Sequence, residues 1–404
     1  MPTVKRLLIV THVTHYRHRD KIFAYGPYVR EINVWCDLFP EVMIAAPCKD
    51  GLPPGDGLAI SRANVNLRPI PASGGDSLAA KLQQLVLLPR IVWLLCLALY
   101  RTSAVHVRCP GNLGLLGVIL APCFSNKLIA KYAGQWSGFP EEAWSVRLQR
   151  YLLGSRWWRG IVTVYGNWPN QPPHVIPFFT SVMTAAHIRQ AKEIASRKVP
   201  QSPLSILFVG RLSKNKNADV LIKAVANLAQ RDVAVRCDIV GDGEQNEQLR
   251  ELVARLDLKT CVHFAGAINF EQVFDFYDRS QVLVLASDTE GWPKAIAEAM
   301  ACGLVCVGSD RGLVPWMLGE GRGFVVPARD IDSLTNTLER IATSPDQQVD
   351  VSRRAAEFSQ RYSLETLRDA LRELLSEHWD VDMNNSNPTK PKRDCNTNRR
   401  VTIS

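Results

Sequence analysis

An α/β chain of two Rossmann-like domains, each a parallel sheet with helices on both faces, is the architecture this sequence predicts. Three observations carry the prediction. The 404 residues are enough for two or three domains with cores of their own. Short apolar runs alternate with helix-period segments along most of the length, the pattern of parallel strands joined by crossover helices. A charged break containing Pro and Ser, "IASRKVPQSPLS", divides those runs into two sets and reads as a linker near 195–203.

The first set is "RLLIVTHV", "EVMIAAP", "AVHVR", "KLIAKYAG" and "GIVTVYG"; the second is "LSILFVG", "RCDIVG", "VHFAG", "QVLVLAS" and "LVCVGS". The first domain is therefore expected over 1–198 and the second over 199–362, facing each other across a hinge. Within the first, "LVLLPRIVWLLCLALY" (Leu85 to Tyr100) is too short, and too interrupted by Pro89 and Arg90, for a membrane span. It reads as a helix kinked near Pro89 and buried on the sheet, the other reading being one face resting in a bilayer interface. Two helical patterns follow the second sheet, near 351–362 and 364–379; the latter forms a terminal segment at 363–380. The polar remainder, 381–404, has no apolar periodicity and is expected to be disordered.

Composition excludes several classes. The ten cysteines form no C-x-x-C pair and no metal-ligand spacing, so neither a disulfide framework nor a zinc site is indicated, and a reducing cytosol is the simpler setting. The opening "MPTVKRLLIVTHV" runs from a charged start straight into a strand pattern without a signal-peptide layout, so the mature chain is expected to begin at Met1. The net charge of +9 is uneven: residues 1–200 carry 23 Lys and Arg against 10 Asp and Glu, while 201–404 carry 25 against 29. Seven of the ten tryptophans (Trp35, Trp93, Trp136, Trp144, Trp157, Trp158 and Trp168) also lie in the basic half. Such a surface suits anionic lipid headgroups or an anionic acceptor, unless the tryptophans are core; both readings stay open. No nucleic-acid motif accompanies the charge.

The chemistry concentrates in "TEGWPKAIAEAMACG". Glu290 follows a strand through a short loop, and Glu298 lies eight positions on, in a helix expected to begin near Pro293. Free backbone N–H groups in the stretch Gly291 to Lys294, which includes Trp292 and Pro293, with the positive end of the helix dipole, would form an anion site at a strand's C-terminal end. Carboxylates on either side would accept from sugar hydroxyls, so a nucleotide sugar fits. In "FVGRLSKNKNADVLIKA" a strand ending at Gly210 delivers Arg211 and Lys216, two cations able to neutralise a diphosphate. "CDIVGDGEQNEQL" lacks the third glycine of a dinucleotide fingerprint, and its Gly241 and Gly243 are expected to serve only a tight turn.

In order and spacing, "GRLSKNK", "IVGDGEQNEQL", "VHFAG" and "EGWPKAIAEAMACG" resemble the retaining glycosyltransferases of the two-Rossmann GT-B fold, family 4, over residues 204–340. The resemblance implies that Arg211 and Lys216 bind the donor diphosphate, that Glu290 touches the transferred sugar and that Glu298 holds the ribose. It implies leaving-group stabilisation without a metal or cofactor. It also implies a donor-binding second domain, an acceptor-binding first domain, and a 363–380 helix that crosses back to the first. "AVHVRCPGNLGLLG" is similar to the family's strand-end histidine segment, which makes His106 the candidate contact to donor sugar or acceptor; a structural strand histidine is the alternative. Three departures stand out. Asn217 replaces the family's usual glycine and is expected to cap the following helix. "SDRGLVPWML" replaces a Gly-Gly-x-x-Glu segment, and "VIPFFTSV" stands where an Asn-Gly turn is usual.

His12, His15 and His18 in "THVTHYRHRD" are expected in a cleft-facing loop, as a hydrogen-bonding rim for an anionic acceptor; no carboxylate or thiolate completes a metal set. The functional expectation is a cytoplasmic, metal-independent transferase, working at the inner face of the membrane if it contacts one. It would move a hexosyl group from a nucleoside diphosphate sugar to a hydroxyl of a glycan or lipid-linked saccharide in cell-surface or exopolysaccharide synthesis. The alternatives are a nucleotide-sugar epimerase or phosphorylase on the same fold, or a non-catalytic scaffold.

Overall fold

The computed structural model describes residues 4–72, 78–138 and 142–381 and divides into two compact units, Met1–Val182 with Leu364–Ser404, and Met183–Ser363. The expected tail at 381–404 lies outside the described residues, apart from Val381.

The first unit opens with β1 (Arg6–Val10), β2 (His15–His18), β3 (Lys21–Tyr25) and α1 (Gly26–Leu38). Next come β4 (Glu41–Asp50), β5 (Gly57–Ala59), β6 (Val65–Ile70), α2 (Leu78–Tyr100), β7 (Ala104–Cys109) and α3 (Asn112–Leu120). It continues with β8 (Leu128–Tyr132), α4 (Trp144–Gly154), β9 (Ile161–Tyr165) and β10 (Val175–Phe178). The sheet order is β10-β9-β8-β7-β1-β4-β2-β3-β5, with β6 paired to β4. All five expected strands are present, and their near-continuous apolar runs are what a sheet covered on both faces requires.

The segment expected as a histidine-bearing loop is instead the antiparallel hairpin β2–β3, which extends the sheet. Its turn residues Arg19 and Asp20 both have positive φ, 47° and 57°, the geometry of a primed hairpin turn. Neither is the Asn-Gly or Asp-Gly pair that announces such a turn in a sequence, which is why the hairpin was hidden.

The second unit holds α5 (Ala185–Ser196), β11 (Leu204–Val209), α6 (Ala218–Gln230), β12 (Val235–Val240), α7 (Asn246–Arg255) and β13 (Val262–Gly266). It continues with α8 (Phe270–Arg279), β14 (Val282–Leu285), α9 (Lys294–Ala301), β15 (Val305–Ser309), α10 (Val314–Leu318), β16 (Phe324–Val326), α11 (Ile331–Thr343) and α12 (Pro345–Ser359). Its six strands are all parallel, in the order β13-β12-β11-β14-β15-β16.

The boundary expected at 198/199 falls earlier, at 182/183. The cause is α5, whose buried Ile188, Ala191 and Ile194 attach it to α8, α9 and α12 of the second unit. Just beyond it, Lys198 Nζ donates to the carbonyls of Tyr277 (2.5 Å), Asp278 (2.5 Å) and Ser280 (2.6 Å), closing the end of α8. The polar letters of the supposed linker are therefore a helix's solvent face and a helix cap. At the other end α13 (Leu364–Trp379) belongs to the first unit and packs on α1, with Trp379 near Phe39 and its carbonyl accepting from Lys127 Nζ at 2.7 Å.

The buried-helix expectation for Leu85 to Tyr100 is not met. That stretch is the main part of α2, and one side of it faces outward. The tryptophans divide as well: Trp35, Trp136 and Trp158 are core, whereas Trp93, Trp144 and Trp157 are exposed.

Candidate functional site

In the second unit the strand order reverses between β11 and β14, and the crevice beyond the carboxyl ends of such a pair is where open α/β sheets receive ligands. Two loops leave the sheet there. The one after β11 carries Arg211 and Lys216, and the one after β14 carries Glu290. The structure brings two of these residues into direct contact: Lys216 Nζ forms an ion pair with Glu290 Oε1. Glu290 is nearly covered, its side chain 9% exposed.

Local conformation explains how Lys216 gets there. A 3₁₀ turn, Lys214–Lys216, ends at Asn217, whose φ of 50° and ψ of 42° are left-handed. Glycine and asparagine tolerate that region best. Asn217 thus takes the family glycine's place by backbone conformation, and the expected helix cap is absent, for its side chain makes no capping bond. Instead Nδ2 donates to the Ala286 carbonyl at 2.9 Å and to Asp288 Oδ1 at 2.8 Å, tying the first loop to the second. The Asp288 amide returns a bond to the Asn215 carbonyl at 2.8 Å. Arg329 grips the Asp288 carboxylate with Nε (2.9 Å) and Nη2 (2.5 Å), and these bonds hold Asp288 below the usual carboxylate range.

A third loop buttresses Glu290 from behind. Gly312 has φ +56°, and a Cβ on it would stand 1.7 Å from the Glu290 carbonyl oxygen. The "SDRGLVPWML" segment is therefore a backbone support that only glycine permits. Gly241 is similar, with φ +135° and a would-be Cβ 1.8 Å from the carbonyl of Gly210, in keeping with a tight turn.

The remaining site residues from the sequence fall in two groups. Gly210 sits at the end of β11, its amide donating to Val240 O at 3.0 Å. Pro293 occupies the cap of α9, with Gly291 and Lys294 beside it, half-buried; the helix starts at Lys294, one residue later than expected. Arg211 is open, with a side chain 75% exposed and a loose pair to Glu244 Oε2 at 3.6 Å. Glu298 and Trp292, by contrast, face inward. Glu298 is buried on α9 and accepts from the Tyr277 hydroxyl at 2.8 Å. Trp292 is buried in an aromatic cluster with Trp316, Tyr362 and Phe358, so its role is to anchor the Glu290 loop to the core rather than to line an anion site.

His106 is displaced most from its expected role. It is fully buried near the middle of β7, stacked on Trp35 of α1 at 4.3 Å, and neither ring nitrogen has a hydrogen-bond partner. Burial pulls its pKa down to about 3, so it is a neutral core residue. The residue nearer the strand end is Arg108, whose Nη1 pairs with Glu31 Oε1 at 2.9 Å; Lys131 Nζ takes the other oxygen, Oε2, at 2.8 Å. Both cations are almost sealed, at 12% and 8% exposure, and burial holds Lys131 below its ordinary value. The three histidines do not form one rim. His15 is buried, bonded through Nδ1 to Val13 O at 2.9 Å and pulled down to about 4 by burial, while His12 lies on the surface against Gly111.

Sequence reasoning missed Tyr277, Asp288, Arg329 and Gly312, and the Glu31–Arg108–Lys131 group. The one signal for Gly312 was a glycine soon after a strand; the others are ordinary letters whose partners lie tens of residues away.

Known proteins resemble this chain in sequence and in fold. Residues 189–358 match the family described as glycosyl transferases group 1. The chain is 30% identical over 193 residues to a D-inositol 3-phosphate glycosyltransferase of Saccharomonospora viridis, covering 45% of each chain. It is 30% identical over 190 residues to the amylovoran biosynthesis glycosyltransferase AmsK of Erwinia amylovora, covering 44% of this chain and 47% of that one. The chain thus matches less than half the length of these relatives. In fold it resembles Anabaena Alr3699/HepE, solved in complex with UDP-glucose, with a TM-score of 0.64 at 17% identity over 93% of this chain and 100% of that one.

Proposed function

We propose that the chain, whose residues 189–358 match the glycosyl transferases group 1, transfers a hexosyl group from a nucleoside diphosphate sugar to a hydroxyl of a glycan or lipid-linked saccharide, with retention, in polysaccharide or lipopolysaccharide synthesis. The observation that carries this reading is the Lys216–Glu290 pair at the switch point of the second sheet, held by three mutually tied loops. Relatives named for amylovoran and colanic acid biosynthesis support the setting, and the UDP-glucose complex of the Anabaena protein supports the donor class.

In this reading the donor diphosphate lies over the N-terminus of α9, where the helix dipole and the cations of Arg211 and Lys216 stabilise charge on the departing nucleoside diphosphate. Glu290 releases part of its hold on Lys216 and accepts from a sugar hydroxyl. Glu298 orients the ribose, with Tyr277 fixing its carboxylate. The acceptor hydroxyl passes its proton to a donor phosphate oxygen, and no side chain becomes glycosylated. His106 has no part in the reaction.

Calorimetric titration with UDP, GDP, ADP, dTDP and their sugars tests the donor site. One nucleotide should bind in the micromolar range, and Lys216→Ala should weaken it by roughly tenfold or more, the worth of a charge-assisted contact. A folded chain that binds none of them overturns the reading. A glycosylated peptide recovered from a trapped reaction would overturn the mechanism alone.

A further inference from the structure

α2 carries apolar residues on two opposite sides, yet among the described residues only one of these sides is packed against the core. Ile91, Leu95, Ala98 and Leu99 sink into the core beneath the first sheet. Leu82, Leu85, Val86, Trp93, Leu97 and Tyr100 recur at helical spacing on the opposite side and face outward, Val86 being 76% exposed. A contiguous outward stripe of this kind marks an interaction surface.

We propose that this stripe seats the first unit on an anionic lipid bilayer, α2 lying in the plane of the headgroup–acyl boundary. Charge selects the occupant. Residues 78–101 contain no Asp or Glu, Arg90 is exposed on the flank of the stripe, and Arg101 follows its end. Long cationic side chains reach the headgroups while their stems cover apolar surface, and Trp93 and Tyr100 bring rings suited to the same depth. The part of the unit that contains α2, residues 1–182, is basic, with 19 Lys and Arg against 9 Asp and Glu. A second copy packed on this face by a twofold axis would set Arg90 and Arg101 among their own duplicates with no carboxylate on the helix to answer them. The helix lies on the membrane and does not cross it. Leu82–Tyr100 has the length and hydropathy of a span, but its buried 22% is held in a soluble core, and α2 joins two strands of one parallel sheet.

The proposal stands apart from the transferase reading, so its test needs no activity. The full chain is sedimented with phosphatidylglycerol/phosphatidylcholine vesicles and with phosphatidylcholine alone. Partition to the anionic vesicles is expected, weakened roughly tenfold or more in L85Q/V86Q by the loss of apolar insertion and about fivefold in R90Q by the loss of one interfacial charge. Both variants change outward positions, so their thermal midpoints should match the wild type. Brominated lipid should quench a fluorescence component that W93F lacks. Absence of partition, or equal partition of L85Q/V86Q, overturns the proposal. So does lipid-free self-association that L85Q/V86Q abolishes, which would assign the stripe to a second copy.

Discussion

Each of the two units holds cations gathered around a glutamate near the carboxyl ends of its strands. In the first, Arg108 and Lys131 close on Glu31 near the carboxyl ends of β7 and β8; in the second, Lys216 closes on Glu290 beyond β11 and β14, with Arg211 open beside it. The first set is sealed by Thr180 on Glu31 and by the rings of Tyr28 and Tyr165 over the two cations. The second is built from loops, and one of its two cations stands in solvent. The same residue types therefore make a sealed structural lock in one unit and, in the other, the open loop arrangement proposed above to receive the donor. What separates them is access: a buried charge spends its interactions on its partner, whereas a loop charge can exchange partners with a ligand.

The comparison can be broken by exchanging the symptoms. Glu31→Ala should have the largest effect, about 3–5 kcal/mol of stability read from denaturant unfolding, because it strands two buried cations. Glu290→Gln should leave the unfolding midpoint nearly unchanged while transferase turnover falls roughly 10²–10³-fold. If Glu31→Ala spared stability, or Glu290→Gln lowered the midpoint as much as it lowered activity, the contrast drawn above would be wrong.

The third test sharpens the first unit's side. His106 is neutral in the fold and takes a proton once unfolded, so between pH 6.5 and about 3 the unfolded chain binds more protons and the native state loses stability as pH falls. His106→Leu should remove up to about 1.4 kcal/mol of that loss per pH unit below 6.5, measured by urea unfolding at pH 6.5 and 4.5. A reactive surface histidine would show no such difference. The smallest effect belongs to the exposed Arg211–Glu244 contact: Glu244→Gln should shift stability by less than about 1 kcal/mol, whereas a larger loss would show that this edge is also a structural lock.

Much of this was legible in the residues. Runs such as "LSILFVG" and "QVLVLAS" declare buried parallel strands because a sheet covered on both faces needs continuous apolar letters, and strand-end positions then locate Arg211, Lys216 and Glu290. Glu290 and Lys216 were named together from sequence because each follows such a strand at short range. His106 was misplaced for the same reason that made it attractive: a motif shows that a histidine lies in a strand, but only the packing of Trp35 against it shows which way it faces. Trp292 reads equally well as ligand contact or anchor until the aromatic neighbours from residues 316, 358 and 362 are in place.

By itself, then, the sequence determined the two-domain α/β plan, the strands and the cations and carboxylates at their ends, since these follow from local periodicity and short-range spacing. Tertiary structure decided that α5 joins the second unit, that Asn217 ties two loops instead of capping a helix, that α2 turns an apolar face outward, and that Glu31 draws Arg108 and Lys131 into a sealed group. Each of these depends on contacts between residues far apart in the chain, and burial, which sets whether a charge is a lock or a ligand site, exists only once those contacts have formed.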